Sequence, residues 1–149
     1  MRKILIITFV ILLVTGCKST QAQVLYCQFY DEDFKVSIEI EYKEKDITQI
    51  KQETIEQIVP EISESMRIIL NTFSESFVNI EGVDANLDFN TEETEYTYTL
   101  MLDFKNLDFD MFEEMISISS YGPELSLISR NLELNNYRDA LEKEGFTCK

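Results

Sequence analysis

The chain predicts an α+β domain, with an antiparallel sheet of about five to six strands built from hairpins and helices packed on one face. Three observations predict it. Phe34, Val36, Ile38, Ile40 and Tyr42 alternate with Lys35, Ser37, Glu39 and Glu41, and Tyr96, Tyr98, Leu100, Leu102 and Phe104 alternate with Thr97, Thr99, Met101 and Asp103. Such a period of two marks a strand with one buried and one wet face. Short polar turns join neighbouring strands, which makes them antiparallel. After Pro60 the period changes to that of a helix.

In chain order, Val24 to Tyr30 is a β-rich run and Asp31-Glu32-Asp33 a turn. The regular strand Phe34 to Tyr42 follows, then the turn Lys43-Glu44-Lys45-Asp46. Ile47 to Ile58 reads as a more polar, less regular strand pairing back on it. Pro60 opens a helix, because the first turn does not need its missing N–H. Ile62, Met66, Ile69, Leu70, Phe73 and Phe77 form its apolar face, and Gly82 is its expected stop. Val83 to Phe89, the turn Asn90 to Glu93 and Tyr96 to Phe104 make a second hairpin. Asp108 caps a short helix carrying Phe109, Phe112 and Ile116. Glu124 to Leu134 reads as loop plus a short strand. Asn135 is the expected cap of a last helix with Tyr137 and Leu141 inward, Gly145 ends it, and Phe146 to Cys148 closes the chain as an edge strand.

Ahead of this domain stand a basic start, Met1-Arg2-Lys3, and an apolar run, Ile4 to Val14, broken only by Thr8. These are the parts of a secretory signal. As a helix the run reaches about 16 Å against roughly 30 Å of bilayer hydrocarbon, too short to remain as a span. Val14-Thr15-Gly16-Cys17 resembles the lipobox of bacterial lipoproteins, which implies a diacylglyceryl group on the Cys17 sulfur and cleavage after Gly16. Two acyl chains hold a protein stably on a membrane where one does not. The expected organisation is a signal peptide at 1–16, a lipidated tether at 17–23 and a single α+β domain at 24–149. The location is the extracytoplasmic face of the cell membrane.

An apolar content of 44% with 11% aromatic residues is that of a globular chain and excludes a disordered one. The net charge of −15 argues against nucleic acid, which needs Lys and Arg to displace counterions, and against lying flat on anionic lipid. It leaves a protein or cationic partner open and otherwise serves solubility. With Cys17 acylated, Cys27 and Cys148 remain, and an even pair in an exported protein reads as a disulfide, the alternative being two free thiols.

Histidine is absent, which removes the usual general base and nitrogen ligand and excludes Ser-His-Asp and Cys-His catalysis. No nucleophile elbow, phosphate loop or dinucleotide fingerprint is present. The expectation is no catalytic residue, no cofactor and no metal. Asp88-Phe89-Asn90-Thr91-Glu92 spaces oxygens as calcium loops do, but Glu93 stands where such a loop needs glycine, so it reads as a hairpin turn. Asp103, Asp108 and Asp110 cluster near a helix start, where carboxylates act as caps. Tyr26, Tyr42, Tyr96 and Tyr98 read as core-edge residues with wet hydroxyls, the alternative being an exposed binding face.

These pieces together resemble the YehR-like family of small bacterial lipoproteins. The resemblance rests on Cys17, the Phe34 to Ile58 hairpin, the helix after Pro60, Glu81-Gly82-Val83, Asp103-Phe104 and Leu141-Glu142-Lys143-Glu144-Gly145-Phe146. It implies a lipoprotein of α+β fold and carries no biochemical activity with it. The expected function is a non-enzymatic, membrane-tethered envelope protein that binds a partner or has a structural role. The alternative is a small-molecule or cation-binding module with a pocket between sheet and helices.

Overall fold

The structure, a computed structural model, describes residues 21–58, 63–90, 92, 94–118 and 123–149. The expected signal peptide, Cys17 and most of the tether lie outside these residues, as do Pro60 and Ile62 at the expected helix start. Six strands form one sheet: β1 Gln23–Tyr30, β2 Phe34–Lys43, β3 Asp46–Gln57, β4 Val83–Phe89, β5 Glu95–Asp103 and β6 Thr147–Cys148. Their order is β4-β5-β3-β2-β1-β6, with every neighbouring pair antiparallel. Helices α1 Ser63–Phe77, α2 Phe109–Ile118, α3 Pro123–Ser126 and α4 Leu134–Lys143 complete the fold. The expected α+β architecture is therefore the one observed.

The alternation in β2 and β5 sets which face is covered. Val36, Ile38 and Ile40 of β2 and Tyr96, Tyr98, Leu100 and Leu102 of β5 are buried, with Phe77, Phe112, Leu125, Ile128, Tyr137 and Leu141 packed over them from the helical side. Ring contacts tie the layers together: Phe73 lies 4.8 Å from Tyr98 and 5.0 Å from Phe77, and Phe77 lies 6.3 Å from Phe112. The opposite face carries Glu39, Gln28, Asp84 and Asn86, which are exposed. Among the described residues no helix is long and apolar enough to cross a membrane.

Four expectations need correction. Helix α1 ends at Phe77 rather than near Gly82, because Gly82 has a different task. With φ +79 it brings the backbone so close that a Cβ would sit 2.5 Å from the Leu107 nitrogen, and its carbonyl accepts the Asp103 N–H at 2.8 Å. Ile69 is 61% exposed and lies off the buried stripe that holds Phe73 and Phe77. The segment after Pro123 opens with the helical turn α3, which lowers Leu125 into the core, and its strand-like part is an isolated bridge between Asp46 and Glu133. Asn135 does not cap α4: the cap position is Glu133, two residues earlier, whose carbonyl accepts the Tyr137 N–H at 3.0 Å. Asp108 does cap α2, its Oδ1 accepting the Met111 N–H at 3.1 Å.

The end of α4 shows why the chain returns to the sheet where it does. Gly145, at φ +96, lets the Phe146 N–H reach the Leu141 carbonyl and its own N–H reach that of Glu142, a Schellman ending. The chain then turns into β6, which pairs with β1 in the register Cys27 to Cys148. Tyr26 and Lys149 exchange both backbone hydrogen bonds, so the cysteines fall on the adjoining close pair, and they are joined as a disulfide with Cα atoms 4.0 Å apart. Cys27 is fully buried. This bond closes a loop with a sequence separation of 121, nearly the whole domain. Replacing both cysteines by alanine should destabilise the domain by about 4 kcal/mol on the chain-entropy account, read as a lower urea midpoint; an unshifted midpoint contradicts this.

Candidate functional site

Strand β3 is central in the sheet, between β2 and β5, yet the side chains it turns inward change character along its length. Register alignment puts Ile50 beside Ile40 and Leu102, Gln52 beside Ile38 and Leu100, Thr54 beside Val36 and Tyr98, and Glu56 beside Phe34 and Tyr96. One end of the inner face is therefore apolar and the other is a polar row walled by rings. Gln52 is 4% exposed and Thr54 9% exposed. Polar groups buried this deeply need partners, since an unmade hydrogen bond costs about 1–3 kcal/mol.

The partners come from other layers. The Gln52 amide nitrogen donates to Glu124 Oε1 at 3.1 Å and lies 3.3 Å from Thr54 Oγ1. The acceptor at Glu124 decides the amide orientation, because the reverse would set two oxygens against each other. Glu124 is 8% exposed, and its backbone carbonyl accepts the hydroxyl of the buried Tyr137 on α4 at 3.2 Å. The Tyr96 hydroxyl donates to Glu56 Oε2. Gln52 Oε1 is buried without a hydrogen-bond partner among the described residues. Gln52 lines a cavity of about 190 Å³ between the sheet, α1 and α3, together with Thr54, Phe73, Tyr96, Tyr98 and Glu124.

Burial pushes the Tyr96 hydroxyl well above its ordinary pKa, and the hydrogen bond to Glu56 and that carboxylate's charge add to the effect. Burial, then the nearby Glu124 charge, does the same to Tyr137. Both stay protonated and act as fixed donors.

Cys17, the expected lipidation site, lies outside the described residues, while Cys27 and Cys148 are brought together and bonded. In the 88–92 segment Asn90 Oδ1 accepts the N–H groups of Thr94 and Glu95 and Asp88 accepts from the Asn86 amide, so these oxygens serve the hairpin; Thr91 and Glu93 lie outside the described residues. Asp103 accepts from Lys105 and Asn106, Asp108 caps α2, and Asp110 faces Arg130 at 3.3 Å. Of the four tyrosines, Tyr42 is half-buried, while Tyr96 and Tyr98 are buried and their hydroxyls are not wet as expected: that of Tyr96 donates to Glu56 and that of Tyr98 is itself buried. Tyr26 is a correction: at 50% exposure it stands on the outer face, because Leu25, Cys27 and Phe29 occupy the inward positions of β1.

Gln52, Thr54, Glu56 and Glu124 were not singled out by sequence reasoning. The signal was the loss of apolar alternation in β3 beyond Ile50, between two strands that keep it.

No family model matches the chain, and no curated protein matches it. Two solved structures share its fold. The NMR structure of the Escherichia coli YehR protein superposes with a TM-score of 0.68 at 16% identity, covering 87% of this chain and 92% of that one. The NMR structure of a protein from Streptococcus pneumoniae TIGR4 gives 0.62 at 14% identity, covering 100% of this chain and 98% of that one. The fold is thus YehR-like.

Both tyrosine hydroxyls hold their protons more tightly in the folded chain than at the ordinary value of 10.0, so their contribution is complete below that pH and is lost as pH rises above it. Urea midpoints should therefore fall as pH rises from about 10 upward, and Tyr96→Phe should cost about 1 kcal/mol at neutral pH while making that fall shallower. An equally steep fall in the variant contradicts the assignment.

Proposed function

We propose that the protein is a lipid-anchored, non-catalytic binding module of the extracytoplasmic membrane face, a member of the YehR-like lipoproteins. The observation that carries this reading is the Cys27–Cys148 disulfide, because such bonds form and persist in oxidising compartments outside the cytoplasm. The lipobox-like Val14-Thr15-Gly16-Cys17 supports anchoring, and β1 starts at Gln23, so the tether is short and the domain sits close to the bilayer. The same disulfide ties the last strand to the strand nearest the anchor.

The binding half of the reading is supported by the cavity and its polar row. An apolar core interrupted by a buried glutamine, threonine and glutamate breaks the pattern of its neighbours, and such breaks concentrate at functional sites. Histidine is absent from the chain, which removes the commonest general base from the site. This favours a ligand held over a ligand turned over.

Expressed in a lipoprotein-processing bacterium and labelled with radioactive palmitate, the native chain should carry label and sediment with membranes. Cys17→Ala should lose the label and keep the uncleaved leader. Label retained in that variant, or a native chain that is secreted without label, removes the anchor from this account.

A further inference from the structure

The cavity has a chemistry that names its occupant, and this deepens the binding-module reading on which it rests. Its polar wall carries the Gln52 amide oxygen and the Glu124 carboxylate, both acceptors, beside the hydroxyls of Thr54, Tyr96 and Tyr98. Gln52 Oε1 is buried and has no donor among the described residues. Glu124 brings a carboxylate with a single side-chain donor, the Gln52 amide, and no described cation pairs with it. A buried carboxylate left without a cation is costly, and a bound cation removes that cost. The remaining walls are rings and aliphatic groups: Phe34, Phe73, Tyr96, Tyr98, Leu70 and Leu125. Aromatic faces attract a cation within about 6 Å of the ring centre.

We propose that this cavity binds a small organic cation, a primary ammonium on an apolar body, with Gln52 Oε1 and the Glu124 carboxylate accepting its N–H groups and Phe73, Tyr96 and Tyr98 enclosing it. Size agrees: a cavity of about 150 Å³ admits benzene, so about 190 Å³ admits a ring with a short charged arm. The net charge of −15 concentrates cations around the protein and repels anions of the same shape.

The test is isothermal titration calorimetry of the full chain in neutral detergent with benzylammonium, and with benzyl alcohol and benzoate as its neutral and anionic counterparts. Benzylammonium should give saturable heat, benzyl alcohol should bind at least about tenfold more weakly, and benzoate should give none. Glu124→Gln keeps the shape and removes the charge; Gln52→Leu removes the unpaired acceptor. Each should weaken benzylammonium about tenfold or more while the far-UV circular dichroism stays native. Should Glu124→Gln fail to fold, Gln52→Leu alone decides. If benzyl alcohol binds as tightly as benzylammonium, the cation assignment is overturned and the binding module stands. If no probe binds, the cation assignment and the cavity's part in binding both fall. Affinity unchanged in both variants puts the ligand elsewhere and overturns the assignment.

Discussion

The arrangement of this fold turns on what its central strand does with three polar side chains. Gln52, Thr54 and Glu56 face inward from β3, at the middle of a sheet whose other strands present leucine, isoleucine, valine and aromatic rings to the same layer. Hydrophobic burial is not directional and tolerates many packings, whereas a buried amide or carboxylate needs a partner at a set distance and angle. That need fixes the neighbouring elements. Glu124 of α3 is held over Gln52, and its own carbonyl holds the hydroxyl of Tyr137, so one network runs from sheet to α3 to α4. Tyr96 answers Glu56 in the same way from β5. The short helix α3, only one turn long, owes its position to this network and to Leu125 rather than to its own hydrogen bonds.

A second constraint acts at the termini. The two-residue strand β6 could not hold itself on the edge of the sheet by backbone pairing alone. The Schellman ending at Gly145 aims it, Phe146 packs on Phe29 with ring centres 5.6 Å apart, and the disulfide locks it to β1. The first and last strands then form one edge. The turn between β2 and β3 is fastened to the start of α4 by the Lys45–Glu133 ion pair at 2.7 Å and by the Leu134 N–H to the Lys45 carbonyl. The exposed ion pair contributes little by itself, and the backbone bond sets the geometry.

Much of the fold could be read directly, and the failures share a cause. β2 and β5 were legible because each buries one face throughout, so local pattern and tertiary role agree. The Cys27–Cys148 pairing was legible from parity in number and from the β character of both flanks. What could not be read depended on partners far away in the chain. β3 looked irregular because its inward polar residues are satisfied by Glu124, which lies 72 positions from Gln52. Glu124 looked like a loop residue for the same reason. Gly82 resembled a helix stop, but its glycine is required by the approach of the Leu107 backbone. Asn135 is a good cap by type, yet the bridge from Asp46 to Glu133 starts the helix before it. Tyr26 was misplaced because strand parity had to be anchored on the buried Cys27.

The proposed binding role implies that the polar row of β3 sets the positions of its neighbours without being what makes the domain stable. The direct measurement is equilibrium urea denaturation of the Gln52→Leu/Thr54→Val/Glu124→Leu variant beside the native chain. Replacing a partly satisfied buried network by apolar groups of similar volume is often neutral or stabilising by about 1–4 kcal/mol. The account predicts a midpoint equal to or above the native one. A cooperative transition at a clearly lower midpoint would show that the network holds the fold together, and the claim would be wrong.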